Sequence, residues 1–373
     1  MFSRRRIASN LSFCPENFSD VNRSNQTPAQ QGYRMPAEWE PHAATWLSWP
    51  RRDGISFPGS YDQVMPVLTK MVVALNESEP VCINVRDAAQ ESEIRKVLGN
   101  GDGGDHSHVR FQRIPTNEPW CRDHGPIFLT KPGAANPLIA LDWEYNAWGW
   151  KYPPFDLDNA VPKKVAAILD DIPVFSPGIV LEGGSIEVNG AGTLLTTESC
   201  LLNPNRNPTL KKADIERFLR DYLCVTNILW LGDGIEGDDT DGHIDDLTRF
   251  VSRTSVVTVV EEDEHDDNYE PLQVNLNRLR EMSAEDGTPL TVRTLPMPGK
   301  IAREGQRLPA SYANYYVANK VVLMPAFNDP HDAWAAAVLR EAFPTRRIVP
   351  IDCRELIWGL GAFHCLTQQQ PAV

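Results

Sequence analysis

The chain has 373 residues, 42% of them hydrophobic and 23% charged, and its 50 acids against 36 bases give a formal charge of -14. Ten tryptophans add aromatic core material, so disorder is excluded for the bulk of the chain, and a closed, barrel-like or propeller-like domain can absorb the length without a second core. The negative charge repels nucleic-acid phosphates and anionic lipid, excluding both as expected partners, and suits a small cationic substrate.

Residues 1–31, rich in Asn, Ser and Gln, read as a poorly ordered leader, and residues 32–373 as a single domain. The basic Met1-Phe-Ser-Arg-Arg-Arg6 is not followed by an apolar run of secretory length, and no stretch of about 18 apolar residues occurs that would span a membrane. Seven cysteines, Cys14, Cys82, Cys121, Cys200, Cys224, Cys353 and Cys365, are scattered and never form a CxxC pair. Neither a zinc ribbon nor a disulfide framework is expected, and the cytoplasm is the expected location.

Along the chain, helical spacing at Val64, Leu68, Met71, Val72 and Leu75 precedes the strand-like Val81-Cys-Ile-Asn-Val85. The same order recurs with Val165, Ile168 and Leu169 before Val174-Phe175, and with Ile215, Phe218, Leu219 and Tyr222 before Ile228-Leu-Trp-Leu231. It recurs again with Leu272, Leu276 and Leu279 before Leu290 to Leu295, and with Ala335, Val338, Leu339 and Ala342, N-capped by Asp332, before Ile348-Val-Pro-Ile351. Further strand-like runs lie at Leu138 to Trp143, Thr193 to Thr196, Ser255 to Val260 and Tyr315 to Met324. Five helix-then-strand units imply an α/β fold. The periodicity alone leaves a cyclic repeat and an ordinary α/β sheet both open.

Reactive residue types concentrate in four segments: Asn117 to Gly125, Leu181-Glu-Gly-Gly184, Gly237 to Asp246 and Gly359 to Gln370. Five acids and His243 fall within Gly237 to Asp246, which suggests a hard-metal site or a cation pocket. Aligned on Gly242, an EF-hand would need ligands at Gly237 and Thr248, so that reading fails. Asp241-Gly-His-Ile-Asp245 also lacks the second His or Cys of a zinc site. In a strand, His243 and Asp245 would share a face, which suits an acid/base beside a carboxylate; the competing reading is that these acids cap turns in solvent.

Cys365 lies between Gly359, Gly361 and a run of three glutamines, a polar and flexible setting unlike the apolar run around Cys82. It is a candidate nucleophile, with Cys121 its rival. His364, as a strand neighbour, would face away, leaving distant His243 as the base. Asp123, Glu182 and Asp245 could supply paired acceptors for a planar guanidinium, or could equally be solvated turn residues.

These segments resemble the agmatine deiminase and Porphyromonas-type peptidylarginine deiminase family of the pentein superfamily. The resemblance is carried by Met35-Pro-Ala-Glu-Trp-Glu-Pro-His42, Trp46-Leu-Ser-Trp-Pro50, Trp120-Cys-Arg-Asp123, Leu181-Glu-Gly-Gly184, Asp241-Gly-His-Ile-Asp245, Leu308 to Tyr316 and His364-Cys-Leu-Thr-Gln-Gln369. It implies a five-bladed α/β propeller with one axial active site. It further implies Cys365 as nucleophile, His243 as general acid/base, Asp123, Glu182 and Asp245 as the acids that hold the guanidinium, and Trp120 as an aromatic of the substrate pocket. The implied reaction, without metal or cofactor, is hydrolysis of agmatine to N-carbamoylputrescine and ammonia through an amidino-cysteine, a step toward putrescine in polyamine biosynthesis. A peptidyl or C-terminal arginine, or another alkylguanidine, is the alternative substrate. A non-catalytic binding module of the same fold is the alternative of a different class, and a homo-oligomer is left open.

The catalytic loop departs from the family pattern. Agmatine deiminases usually carry three consecutive glycines, then Asn and Ile before His-Cys; here the run is Gly359-Leu360-Gly361-Ala362-Phe363. The reactive residues are kept, while pocket shape is left open. Three acids near Cys365 should raise its thiol pKa, and a bound cation should reverse that.

Overall fold

The structure is a computed structural model and describes residues 26–99 and 106–373. Five sheets share one plan. An antiparallel pair leads into a helix, and the strand after the helix returns parallel to the second strand of the pair. The second sheet comprises Ile127–Thr130, Leu138–Leu141 and Val174–Phe175 around helix Val161–Ile168. Glu187–Val188, Thr193–Thr197 and Asn227–Leu231 form the third, around Lys212–Leu223. The fourth has Thr248–Ser252, Ser255–Val260 and Thr291–Pro296 with helix Tyr269–Arg280. Tyr316–Val317, Val321–Ala326 and Arg347–Asp352 make the fifth, with Asp332–Ala342.

The first sheet keeps this plan with one strand borrowed and one added. His42–Ser48 and Val81–Asn84 flank helix Tyr61–Asn76, and Val109–Gln112 extends the parallel edge after helix Ala88–Gly99. Its antiparallel strand comes from the far end of the chain, where Thr367–Pro371 pairs with His42–Ser48. That pairing places the Cys365 loop directly before a strand of the first sheet. The architecture is mixed α/β, and all five helix-then-strand units read from periodicity are present.

Each crossover helix buries one stripe. In Tyr61–Asn76 the buried Val64, Leu68, Met71 and Leu75 recur every three or four residues, and in Lys212–Leu223 the stripe is Ile215, Leu219 and Leu223. Buried side chains form one large cluster and two smaller ones, the last joining Trp46, Cys82, Cys121, Phe128 and Val165 between the first and second sheets. Among the described residues no helix is long and apolar enough to cross a membrane.

Several local expectations are corrected. His243 is not in a strand: it precedes a 3₁₀ turn, Ile244–Asp246. The turn before it is organised by Asp238, whose carboxylate accepts the N–H of Thr240 at 2.8 Å and of Gly242 and His243 at 3.1 Å; such local bonds compete with strand ladders. His364 and Cys365 sit in a helical turn, Phe363–Leu366, so they are not on opposite strand faces. Asp332 is the first helical residue rather than the cap, and its carboxylate accepts the N–H groups of Phe327 and Asp329 at 3.0 and 3.2 Å. Of the expected leader, residues 1–25 lie outside the described residues, whereas residues 26–31 form a turn in which the Ala29 N–H donates to the Asp221 carbonyl at 3.1 Å.

Candidate active site

Cys365 lines a cavity of about 190 Å³ whose walls include Trp120, Asp123, Trp148, Tyr152, Asp239 and Leu360. The thiol meets two polar groups: the Asn314 amide Nδ2 at 3.0 Å and Asp245 Oδ2 at 3.6 Å. Asn314 also fixes the loop backbone, its Oδ1 accepting from the N–H of His364 at 3.1 Å and of Cys365 at 3.3 Å. Gly361 is required by close approach, because a Cβ there would lie 2.6 Å from the Trp120 ring and 3.2 Å from the thiol sulfur. Leu360, in contrast, takes φ of 68°, the left-handed region that favours glycine.

Asp123 is delivered by the helical turn Cys121–His124. Its Oδ1 accepts the Gly184 N–H at 2.9 Å and its Oδ2 the Trp148 indole N–H at 3.0 Å. Gly184 makes room for the imidazole beside it, since a Cβ there would stand 2.6 Å from His243 Nδ1 and 2.8 Å from Asp123 Oδ1. Gly184 therefore follows from packing three functional groups, His243, Asp123 and Asp245, around one backbone, while Gly183 is required by the Arg122 carbonyl, 2.1 Å from where its Cβ would stand.

His243 is fully buried, with Nδ1 3.7 Å from Asp123 Oδ1 and 4.0 Å from Asp245 Oδ1, and Nε2 4.0 Å from Glu182 Oε2. Neither ring nitrogen has a hydrogen-bond partner, and neither do Glu182 Oε2 and Asp245 Oδ1. Buried unpartnered acceptors are costly, so Glu182 Oε2 and Asp245 Oδ1, which the His243 ring faces only from 4.0 Å, are acceptors that a donor-rich cation would satisfy. Glu182 is held from behind by Arg206, whose Nε lies 2.8 Å from Oε1.

The electrostatics follow from the crowding. Burial, then the charges of Asp245, Asp246 and Asp123, push the Cys365 thiol well above its ordinary range. Burial pushes Asp123 up to about 6, with Asp245 and Glu182 adding to the rise and His243 opposing it. Burial works against a charged His243, but Asp123, Cys200 and Asp245 together outweigh it and raise the imidazole well above its usual range. Asp246 is raised well above the carboxylate range by burial and by Asp245 and Asp238, and its Oδ1 accepts from Asn314 Nδ2 at 3.0 Å.

All six residues singled out from the sequence, Cys365, His243, Asp245, Glu182, Asp123 and Trp120, thus meet in one region, Trp120 bonded through its indole N–H to Ser56 Oγ at 2.9 Å. The rival Cys121 does not line the cavity. It is packed in the apolar cluster with Trp46 and Phe128, and burial pushes its thiol up to about 12. Glu182, Cys200 and His243 offer ligand atoms within 4.8 Å of one another, a donor set that zinc accepts. Arg206 places a guanidinium against the same carboxylate, which works against a second cation there. Sequence reasoning missed Asn314, Arg206, Trp148 and Glu38. Asn314 and Glu38 lie inside quoted motifs, Leu308 to Tyr316 and Met35 to His42, so the motifs were the available signal.

Fold and site together define a class: a mixed α/β protein whose cavity is lined by a thiol and by Asp123, with Asp245 behind the thiol and the His243 imidazole behind both acids rather than on the cavity wall, the equipment of a thiol hydrolase for a cationic group. The family described as Porphyromonas-type peptidyl-arginine deiminase matches residues 34–371. Similar curated proteins include agmatine deiminase of Ectopseudomonas mendocina, 37% identical with 93% of this chain and 97% of that protein covered. Another is agmatine deiminase of Pseudomonas syringae pv. tomato, 38% identical over 93% of this chain and 98% of that protein. Among solved structures, agmatine deiminase of Enterococcus faecalis aligns with a TM-score of 0.84 at 34% identity, over 93% of this chain and 98% of that one. A substrate-bound cysteine-to-serine variant of C. jejuni agmatine deiminase aligns with a TM-score of 0.82 at 31% identity, over 91% and 96%. The chain belongs to the Porphyromonas-type peptidyl-arginine deiminase family.

Proposed function

We propose that this protein hydrolyses agmatine to N-carbamoylputrescine and ammonia. The observation that carries the reading is the set of unpartnered, fully buried acceptors, Glu182 Oε2 and Asp245 Oδ1, converging with Asp123 around the His243 ring, while the other oxygen of Asp245 lies 3.6 Å from the Cys365 thiol. A guanidinium supplies planar donors of opposite charge to such a set. Asp239, on the cavity wall and bonded to the Tyr152 hydroxyl, favours a substrate with an amine tail over free or peptide C-terminal arginine, whose carboxylate it would repel.

In this reading Cys365 attacks the guanidinium carbon as thiolate. His243, protonated in the resting site, gives its proton to the departing nitrogen; the C–N bond breaks and ammonia leaves an amidino-thioether on the sulfur. The neutral imidazole then takes a proton from water, the resulting hydroxide adds to the same carbon, and the C–S bond breaks as the added hydroxyl gives its proton to the departing sulfur, which restores the thiol and releases the ureido product. The thiol is held neutral by burial and by its acids until the substrate's positive charge arrives, when its proton passes to solvent because His243 is already protonated, so nucleophile formation is coupled to binding. Trp120 and Trp148 supply the apolar walls.

The repeated plan of five sheets supports a five-bladed α/β propeller, with residues 32–373 as one domain and the cavity on its axis. Six cysteines among the described residues are free thiols, which suits a reducing cytoplasm. The charge of -14 favours a cationic small molecule over nucleic acid. The test is ammonia release from agmatine, arginine and a C-terminal arginyl peptide, with Cys365→Ser as control. Agmatine should be the best substrate and the variant inactive; preference for the peptide, or activity in the variant, would overturn the assignment.

A further inference from the structure

His364 adjoins Cys365 in the chain, yet its ring turns away from the cavity into a buried ionic cluster. Nδ1 lies 2.6 Å from Asp245 Oδ2 and Nε2 lies 2.8 Å from Glu38 Oε2. An ionised carboxylate only accepts, so each ring nitrogen must carry a proton to make its bond, whereas neutral imidazole has a single N–H. Both acids are held below the usual carboxylate range. For Glu38, Arg249, His364 and Arg122 together overcome the penalty of burial; for Asp245, His364, His243 and Arg249 do so.

The surroundings are built for a cation at this position. Glu38 Oε2 also meets Arg249 Nη2 at 2.8 Å and Arg122 Nη2 at 3.4 Å, while Oε1 accepts the Val317 N–H at 2.8 Å. Arg249 Nε reaches Glu187 at 2.7 Å, and Arg122 Nε bonds the His364 carbonyl at 3.3 Å. The charged groups facing the ring and its partners are thus Glu38, Asp245 and Glu187 against Arg122 and Arg249, with His243 on the far oxygen of Asp245, where it is shared with Asp123 and Glu182. With a charged His364 each carboxylate oxygen facing the ring meets an N–H; with a neutral one, either Glu38 Oε2 or Asp245 Oδ2 would face a bare ring nitrogen at 2.8 or 2.6 Å, acceptor against acceptor in a buried site, which is expensive.

We propose that His364 is a standing imidazolium, and that Glu38–His364–Asp245 is a positioning relay for the catalytic thiol. The relay occupies Asp245 Oδ2, the oxygen that lies 3.6 Å from the Cys365 sulfur. It thereby blunts that oxygen's repulsion of a thiolate and leaves Oδ1 aimed at the guanidinium. Glu38, contributed by the segment before the first sheet, sets the ring. This rests on the reading of Cys365 as nucleophile and Asp245 as a guanidinium acceptor.

Two measurements on the whole protein test it. In protein labelled with ¹⁵N-histidine, assigned by comparison with His364→Asn, both ring nitrogens of His364 should give imidazolium signals at neutral pH, where a neutral tautomer would overturn the proposal. Second, Glu38→Gln and His364→Asn should raise the pH at which Cys365 is alkylated by iodoacetamide, in the presence of a substrate analogue, by about one unit, and lower kcat about tenfold below that pH, with KM little changed. An unshifted alkylation profile in a variant that keeps its circular dichroism and melting temperature would also overturn it. The nitrogen spectrum does not depend on which residue is the nucleophile, so failure of the relay and failure of the Cys365 assignment are separable through the Cys365→Ser assay.

Discussion

Cys121 and Cys365 are both free, buried thiols in four-residue helical turns, and burial is the main force raising each above the ordinary thiol range. What separates them is company. Cys121 packs with Trp46 and Phe128 in an apolar cluster, while Cys365 borders a cavity and meets an amide donor and a carboxylate. Burial alone makes a thiol inert; access, a donor for the sulfur and a partner that brings positive charge make it a nucleophile.

That contrast can be broken most directly by substitution. Cys365→Ser should cost at least about 10³-fold in ammonia release from agmatine, whereas Cys121→Ala should leave turnover near the parent value and cost about 1 kcal/mol of stability, read by turnover and by denaturant melts. His243→Asn removes the proton donor that the contrast requires and should lower kcat by about 10² to 10⁴-fold, with folding checked by melting temperature.

A finer probe is pH. Asp123 is raised to about 6, so it is increasingly protonated as pH falls through that value and loses its hold on a cation. Hence kcat/KM for agmatine should decline on the acid side of about 6, and Asp123→Asn should lower kcat/KM about 10-fold or more at neutral pH and flatten that limb. The smallest effect belongs to Leu360→Gly, which relieves a left-handed φ of 68°. It should return about 1 kcal/mol of strain, seen as a raised melting temperature, and shift KM more than kcat because Leu360 lines the cavity.

The helices and most strands were legible because each buries a stripe with its own period, as Val64, Leu68, Met71 and Leu75 do. Thr367–Pro371 was not: Thr-Gln-Gln-Gln-Pro has no strand-like alternation, and its role comes from pairing with His42–Ser48 across the whole chain. At the site, chemistry-bearing residues in glycine-punctuated loops could be read, but their geometry could not. The strand assumed around His243 gave way to a turn bonded by Asp238, so that the turn-forming role weighed for the acids of this segment applies to Asp238 while Asp245 faces the imidazole. Glu38 and Asn314 looked like ordinary polar residues because what marks them, bonds to His364 and to Cys365, spans the fold.

The pairing that closes the first sheet also has a kinetic meaning. Trp46 and Gln370 bond across 324 positions of sequence, and the thiol loop hangs immediately before that strand. Closing so long a loop costs little extra free energy, since each doubling of length adds only about 0.6 kcal/mol, but contacts of such high order form late. During refolding, helical circular dichroism should therefore return before turnover does: the molecule acquires its shape first and its nucleophile last.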